Sequence, residues 1–100
     1  MNRFQSEGRV LVSKNQNVRN LEKAITEFLT RKGLREFRWI YEEERSTDDN
    51  FATCLMIDGD AHLYFWDLDG IGDLDKVSQR YGYFIDPINY TDIGFYYKAD

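Results

Sequence analysis

Residues able to do chemistry are concentrated in the second half of the chain. Asp67, Asp69, Asp73 and Asp75, with Gly70 and Gly72 among them, have the composition of a calcium-binding loop. An EF-hand loop turns its oxygens onto one hard cation by placing them at positions 1, 3 and 5, with Gly at 6 and Glu at 12. Aligned on Gly70, position 1 falls on Phe65; aligned on Gly72, position 5 falls on Ile71 and position 12 on Ser78. Neither register supplies the ligands. The acids are read instead as carboxylates around a helix N-terminus, where the helix dipole favours them.

His62 is the sole histidine and Cys54 the sole cysteine. A His–His metal pair, an intramolecular disulfide and a cysteine zinc site are therefore excluded within the chain. There is no glycine-rich phosphate loop, no G-x-S-x-G and no H-E-x-x-H. The expectation is a protein that is not an enzyme and carries no metal or cofactor.

Aromatic residues offer more. Phe51 to Trp66 reads as two apolar, β-rich runs joined by Asp58-Gly59, a strong hairpin signal because a two-residue type I′ turn needs positive φ. In that register Ala52, Cys54, Met56, Ala61, Leu63 and Phe65 share one face, suited to a covering helix. Phe51, Thr53, Leu55, His62, Tyr64 and Trp66 share the other, aromatic with polar tips. Cys54 and His62 then lie on opposite faces, which removes a Cys–His dyad. Asp60, Asp67 and Asp69 flank the aromatic face, and carboxylates there repel a phosphate backbone. An aromatic surface rimmed by acid suits a basic protein partner. The candidate partner-binding residues are Phe51, His62, Tyr64, Trp66, Asp60, Asp67 and Asp69.

Charge is unevenly spread. The net charge is −5, composed of +5 from Met1 to Ile40 and −10 from Tyr41 onward. Such asymmetry points to a charged partner or to self-association, although charge runs most often solvate a surface. The leading expectation is a small acidic protein-binding module, an inhibitor or immunity-type factor that blocks a basic, nucleic-acid-binding surface of its partner. The alternatives are nucleic-acid binding through Arg19, Lys23, Arg31, Lys32 and Arg35, and a self-associating structural protein.

These residues need elements to hold them. The 100 residues suit a single small α+β domain, with positions 1–8 a loose arm. Arg9 to Ser13 reads as a strand. Val18, Leu21, Ala24, Ile25, Phe28 and Leu29 form one helical face, with Asn17 as N-cap and Gly33 as the stop. Phe37, Trp39 and Tyr41 alternate along a strand from Glu36 to Glu42, and Glu43 to Asn50 is a solvated loop. Asp73 caps a short helix from Leu74 to Tyr81, with Leu74, Val77 and Tyr81 on one face and Gly82 as its end. Phe84-Ile85 reads as a short strand, Asp86-Pro87 as a turn, and Ile93 to Lys98 as the last strand.

The expected order is β-α-β-β-β-α-β, an antiparallel sheet of four to five strands with two helices mainly on one face, ferredoxin-like or related. No basic-then-apolar leader opens the sequence and no apolar run approaches a membrane span, so a cytoplasmic location is expected.

Overall fold

The computed structural model describes residues 15–40 and 51–98. The expected strand at Arg9 to Ser13, the arm before it and the Glu43 to Asn50 loop lie outside the described residues, as does Tyr41. Helix α1 spans Gln16–Arg31, β1 Phe37–Trp39 and β2 Thr53–Ile57. A short helix α2, Gly59–His62, runs straight into a π turn, Leu63–Asp67, and is followed by α3, Gly70–Gln79. The chain closes with β3, Tyr83–Pro87, and β4, Asp92–Tyr97. The α+β class is as expected. The four strands lie in the order β1-β2-β4-β3 and every neighbouring pair is antiparallel.

Amphipathic spacing sets α1. Val18, Leu21, Ile25 and Leu29 are buried, and Ala24 and Phe28 pack at the edge of the core. Its N-cap is Asn15, two residues before the expected Asn17: the Asn15 side chain accepts from the backbone N–H groups of Asn17 and Val18 at 2.9 and 3.3 Å. Gly33, at φ 80°, takes the left-handed position after the helix. Asp69, not Asp73, is the residue before α3, so that helix starts four residues earlier than expected.

The largest departure concerns the hairpin. Only its first run is a strand. β2 pairs with β1 through Phe37↔Ile57 and Trp39↔Leu55, and with β4 through Thr53↔Phe95 and Leu55↔Ile93, so both its edges are occupied. Asp58 and Gly59 make no turn between strands. The Asp58 carboxylate accepts from Gly59 N–H at 2.8 Å and caps α2, and Gly59 sits at φ 44°.

The face assignment inverts as a consequence. Thr53, Leu55 and Ile57 turn toward the helices, joined by Phe37, Trp39, Ile93 and Phe95, with the Trp39 and Phe95 rings 5.5 Å apart. By strand alternation Cys54 and Met56 share the opposite face with Phe84, Gly94 and Tyr96. The helices described here all pack their apolar sides into the one cluster: Leu21 and Ile25 from α1, Ala61 from α2, Leu74 and Val77 from α3. Asp86 and Pro87 belong to β3, and the turn to β4 is made by Ile88 to Thr91.

Candidate functional site

The α2 segment is where aromatic and acidic groups meet solvent on an ordered base. After His62 the helix widens: Leu68 N–H donates to Leu63 C=O, five residues back, at 3.2 Å. Single π turns of this kind are frequent at functional sites. Tyr64 and Phe65 point into the core, while Leu63 is 50% exposed and Leu68 is 65% exposed. Trp66 lies between these two sides. Its ring packs edge-on against Phe65 with centroids 4.9 Å apart, and its Nε1–H donates to the backbone C=O of Tyr90 at 2.8 Å.

That bond ties α2 to the β3–β4 turn. The turn is built by Asn89, whose Oδ1 accepts from Thr91 N–H at 2.9 Å, Asp92 N–H at 2.9 Å and the Thr91 hydroxyl at 3.0 Å. Tyr90 stands at its tip, 74% exposed, its ring edge-on to Trp66 at 5.5 Å. The exposed carboxylates of Asp67 and Asp69 follow Trp66 in the chain. Among the described residues neither carboxylate has an ion-pair or hydrogen-bond partner. The exposed Tyr90 thus packs on Trp66, the residue that directly precedes Asp67 in the chain.

Comparison with protein families, with curated proteins and with solved structures finds no match to this chain.

The seven residues expected to bind a partner are dispersed by the loss of the hairpin. Trp66, Asp67 and Asp69 remain together. Asp60 is used internally: its carboxylate accepts from Arg35 N–H at 3.1 and 3.2 Å and from Glu36 N–H at 3.0 Å, and the Glu36 carboxylate accepts from Asp60 N–H at 3.2 Å. This reciprocal pair fastens the α1–β1 connection to the first turn of α2. His62 is half-buried on α2. Tyr64 is buried, and its hydroxyl donates to Asp73 Oδ2 at 3.3 Å. Burial, then the Asp73 charge, then that hydrogen bond push the Tyr64 phenol up to about 12. Phe51 lies beyond the other end of β2, edge-on to Tyr96 at 6.3 Å, and Tyr96 in turn stacks on Phe84 at 5.5 Å.

Tyr90, Leu63 and Leu68 were not anticipated. For Tyr90 a signal was present: an aromatic flanked by Asn89 and Thr91 sits among turn formers, which hold it at the surface. The acids assigned to the α3 start also have separate roles. Asp73 holds Tyr64, and Asp75 accepts from Ile85 N–H at 3.1 Å, docking α3 onto β3. Among the described residues no group of three or more His, Cys, Asp or Glu converges to hold a metal ion.

The basic candidates lie on α1 and in the segment that follows it. Arg19, Lys23, Arg31, Lys32 and Arg35 are all exposed. Arg31 pairs with Glu27 at 3.9 Å, and Lys32 Nζ lies 5.1 Å from the Phe28 ring centre and 5.4 Å from that of Tyr64. Where α1 crosses α3 there is a cleft of about 200 Å³, lined by Ala24, Phe28 and Val77 with Glu27, Arg31, Arg80 and Tyr81.

Proposed function

We propose that this chain is a small acidic, non-enzymatic protein-binding module of the cytoplasm that presents the Trp66–Tyr90 end to a basic surface of another protein. An inhibitor or immunity-type factor covering a nucleic-acid-binding face is the role this chemistry suits. The observation that carries the reading is Tyr90, exposed at 74% on a turn fixed by Asn89 and by Trp66, which the unpaired Asp67 and Asp69 follow in the chain. Aromatic anchors that are already ordered lose little conformational entropy on binding. Exposed carboxylates near them steer a cationic partner and fix its orientation. Leu63 and Leu68 add apolar area on the same segment.

Affinity capture from cell extract tests the reading, with the wild type, Tyr90→Ala, the double reversal Asp67→Lys/Asp69→Lys, and Arg19→Glu/Lys23→Glu on α1 as the distant control. A specific partner should lose roughly tenfold or more in affinity with the first two variants. It should be indifferent to the third. Equal recovery of every captured protein by Tyr90→Ala and by the double reversal would falsify the proposal.

A further inference from the structure

The chain carries both halves of a complementary contact. One half is the Tyr90 knob packed on Trp66, which Asp67 and Asp69 follow in the chain. The other is the α1–α3 cleft of about 200 Å³, where Ala24, Phe28 and Val77 meet Tyr81, one carboxylate, Glu27, and two cations, Arg31 and Arg80. Among the described residues Arg80 has no carboxylate partner, and Arg31 has only the solvent-exposed Glu27 at 3.9 Å. We propose that the Tyr90 end of one copy seats in the α1–α3 cleft of a second copy, so that this chain is itself a partner of the surface it presents. The inference rests on the reading of the Trp66–Tyr90 end as a protein-binding surface.

Residue chemistry favours this occupant. A tyrosine brings a flat apolar body and a polar tip, suited to a cleft in which Ala24, Phe28 and Val77 lie among the polar Glu27, Arg31, Arg80 and Tyr81. Arginine at the mouth attracts the face of an aromatic ring and pairs bidentately with carboxylates, which Asp67 and Asp69 supply. The two surfaces also lie apart on one molecule. Trp66 comes just before α3, whereas Val77 and Arg80 lie at its far end, and the ten residues of the helix span about 15 Å. The knob therefore reaches the cleft of a neighbour, and the contact is heterologous, head to tail.

Sedimentation equilibrium of the full chain gives the test. At about 10 mM salt, where the Debye length is about 30 Å, the wild-type mass should exceed that of a monomer and rise with concentration. At about 1 M salt, where it is about 3 Å, association should weaken tenfold or more. Tyr90→Ala removes the knob and keeps the cleft; Arg80→Glu spoils the cleft and keeps the knob. Each variant alone should be monomeric, and an equimolar mixture should form a 1:1 dimer through the one intact knob and the one intact cleft. That complementation also shows that both variants are folded.

A monomeric wild type at low salt overturns the inference, as does a mixture that fails to associate. If the wild type is monomeric but Tyr90→Ala still loses a foreign partner that Arg80→Glu retains, the self-contact fails and the protein-binding reading stands. If Tyr90→Ala changes neither mass nor capture, both fail.

Discussion

Two polar side chains of α1 are buried against the sheet where an apolar face was expected. Glu22 Oε2 accepts the Thr53 hydroxyl proton at 2.6 Å, and the Thr26 hydroxyl accepts from Trp39 Nε1–H at 2.9 Å. The helical period located Leu21, Ile25 and Leu29 correctly. It could not place Glu22 and Thr26, because they enter the core through partners distant in sequence. Thr53→Val keeps the side-chain shape and removes the donor to a buried carboxylate. It should cost about 1–3 kcal/mol, read as a lowered urea midpoint with unchanged slope, and Thr53→Ser should cost less. Tyr64 makes a second residue-scale prediction. Its phenol ionises at 10.0 ordinarily and at about 12 in the fold, chiefly through burial, so the folded state holds that proton more tightly. The stabilisation is complete below pH 10 and disappears as pH rises from 10 to about 12. Tyr83 is shifted upward as well, by burial first and then by the Tyr97 charge, and works in the same direction. Thermal melts between pH 9 and pH 12 should show a falling midpoint. Tyr64→Phe should flatten that fall, and an unaltered slope would refute the assignment.

At the scale of elements, the Asp58-Gly59 pair shows how one dipeptide serves two structures. A hairpin turn and a helix N-cap both welcome a short acceptor such as Asp58, and Gly59 takes a positive φ, here 44°, at little steric cost. Over the six residues from Ala61 to Trp66, alternation and helical spacing both fit an apolar run, and short runs do not separate the two. The deciding interactions are distant: β1 and β4 take both edges of β2, while Asp60 is held by Arg35 and Glu36. The candidate site was legible to the same extent. Trp66, Asp67 and Asp69 are contiguous and keep together in either structure, whereas Phe51 depended on the hairpin register and was lost with it. Gly70 exposes what fixes the α2–α3 junction. A Cβ at this position would overlap the Tyr64 ring, which is buried and hydrogen-bonded to Asp73. Gly70→Ala should therefore displace Tyr64 and cost about 1–3 kcal/mol. Gly72→Ala meets nothing within 4 Å at the added carbon, so it should be neutral or slightly stabilising, and a thermal melt of the two variants makes the comparison.

On the scale of the whole molecule, the charge asymmetry of the sequence is partly carried into space. Arg19, Lys23 and Arg31 are exposed along α1, and Lys76 and Arg80 are exposed on α3. The unpaired acids Asp67 and Asp69 gather beyond the start of α3, near the β3–β4 turn. Chain order does not explain this by itself, since Lys76 and Arg80 come from the acidic half. Their position follows from α3 packing its Leu74 and Val77 side into the same core as α1, which turns its charged side outward. A basic helical surface on a molecule of net charge −5 allows a sharp test between protein and nucleic-acid partners. Phosphate binding would need several cations acting together and would weaken steeply with salt. Glu27 interrupts the α1 row by pairing with Arg31, and Asp73 is exposed on α3 beside Lys76. The protein-binding reading accordingly expects no retardation of short duplex DNA or RNA in a gel at about 50 mM salt. A retarded band that fades toward about 200 mM salt, and that Arg19→Glu/Lys23→Glu abolishes, would transfer the function to the helical face. Retardation indifferent to those two residues would place the contact elsewhere and leave α1 without a phosphate role.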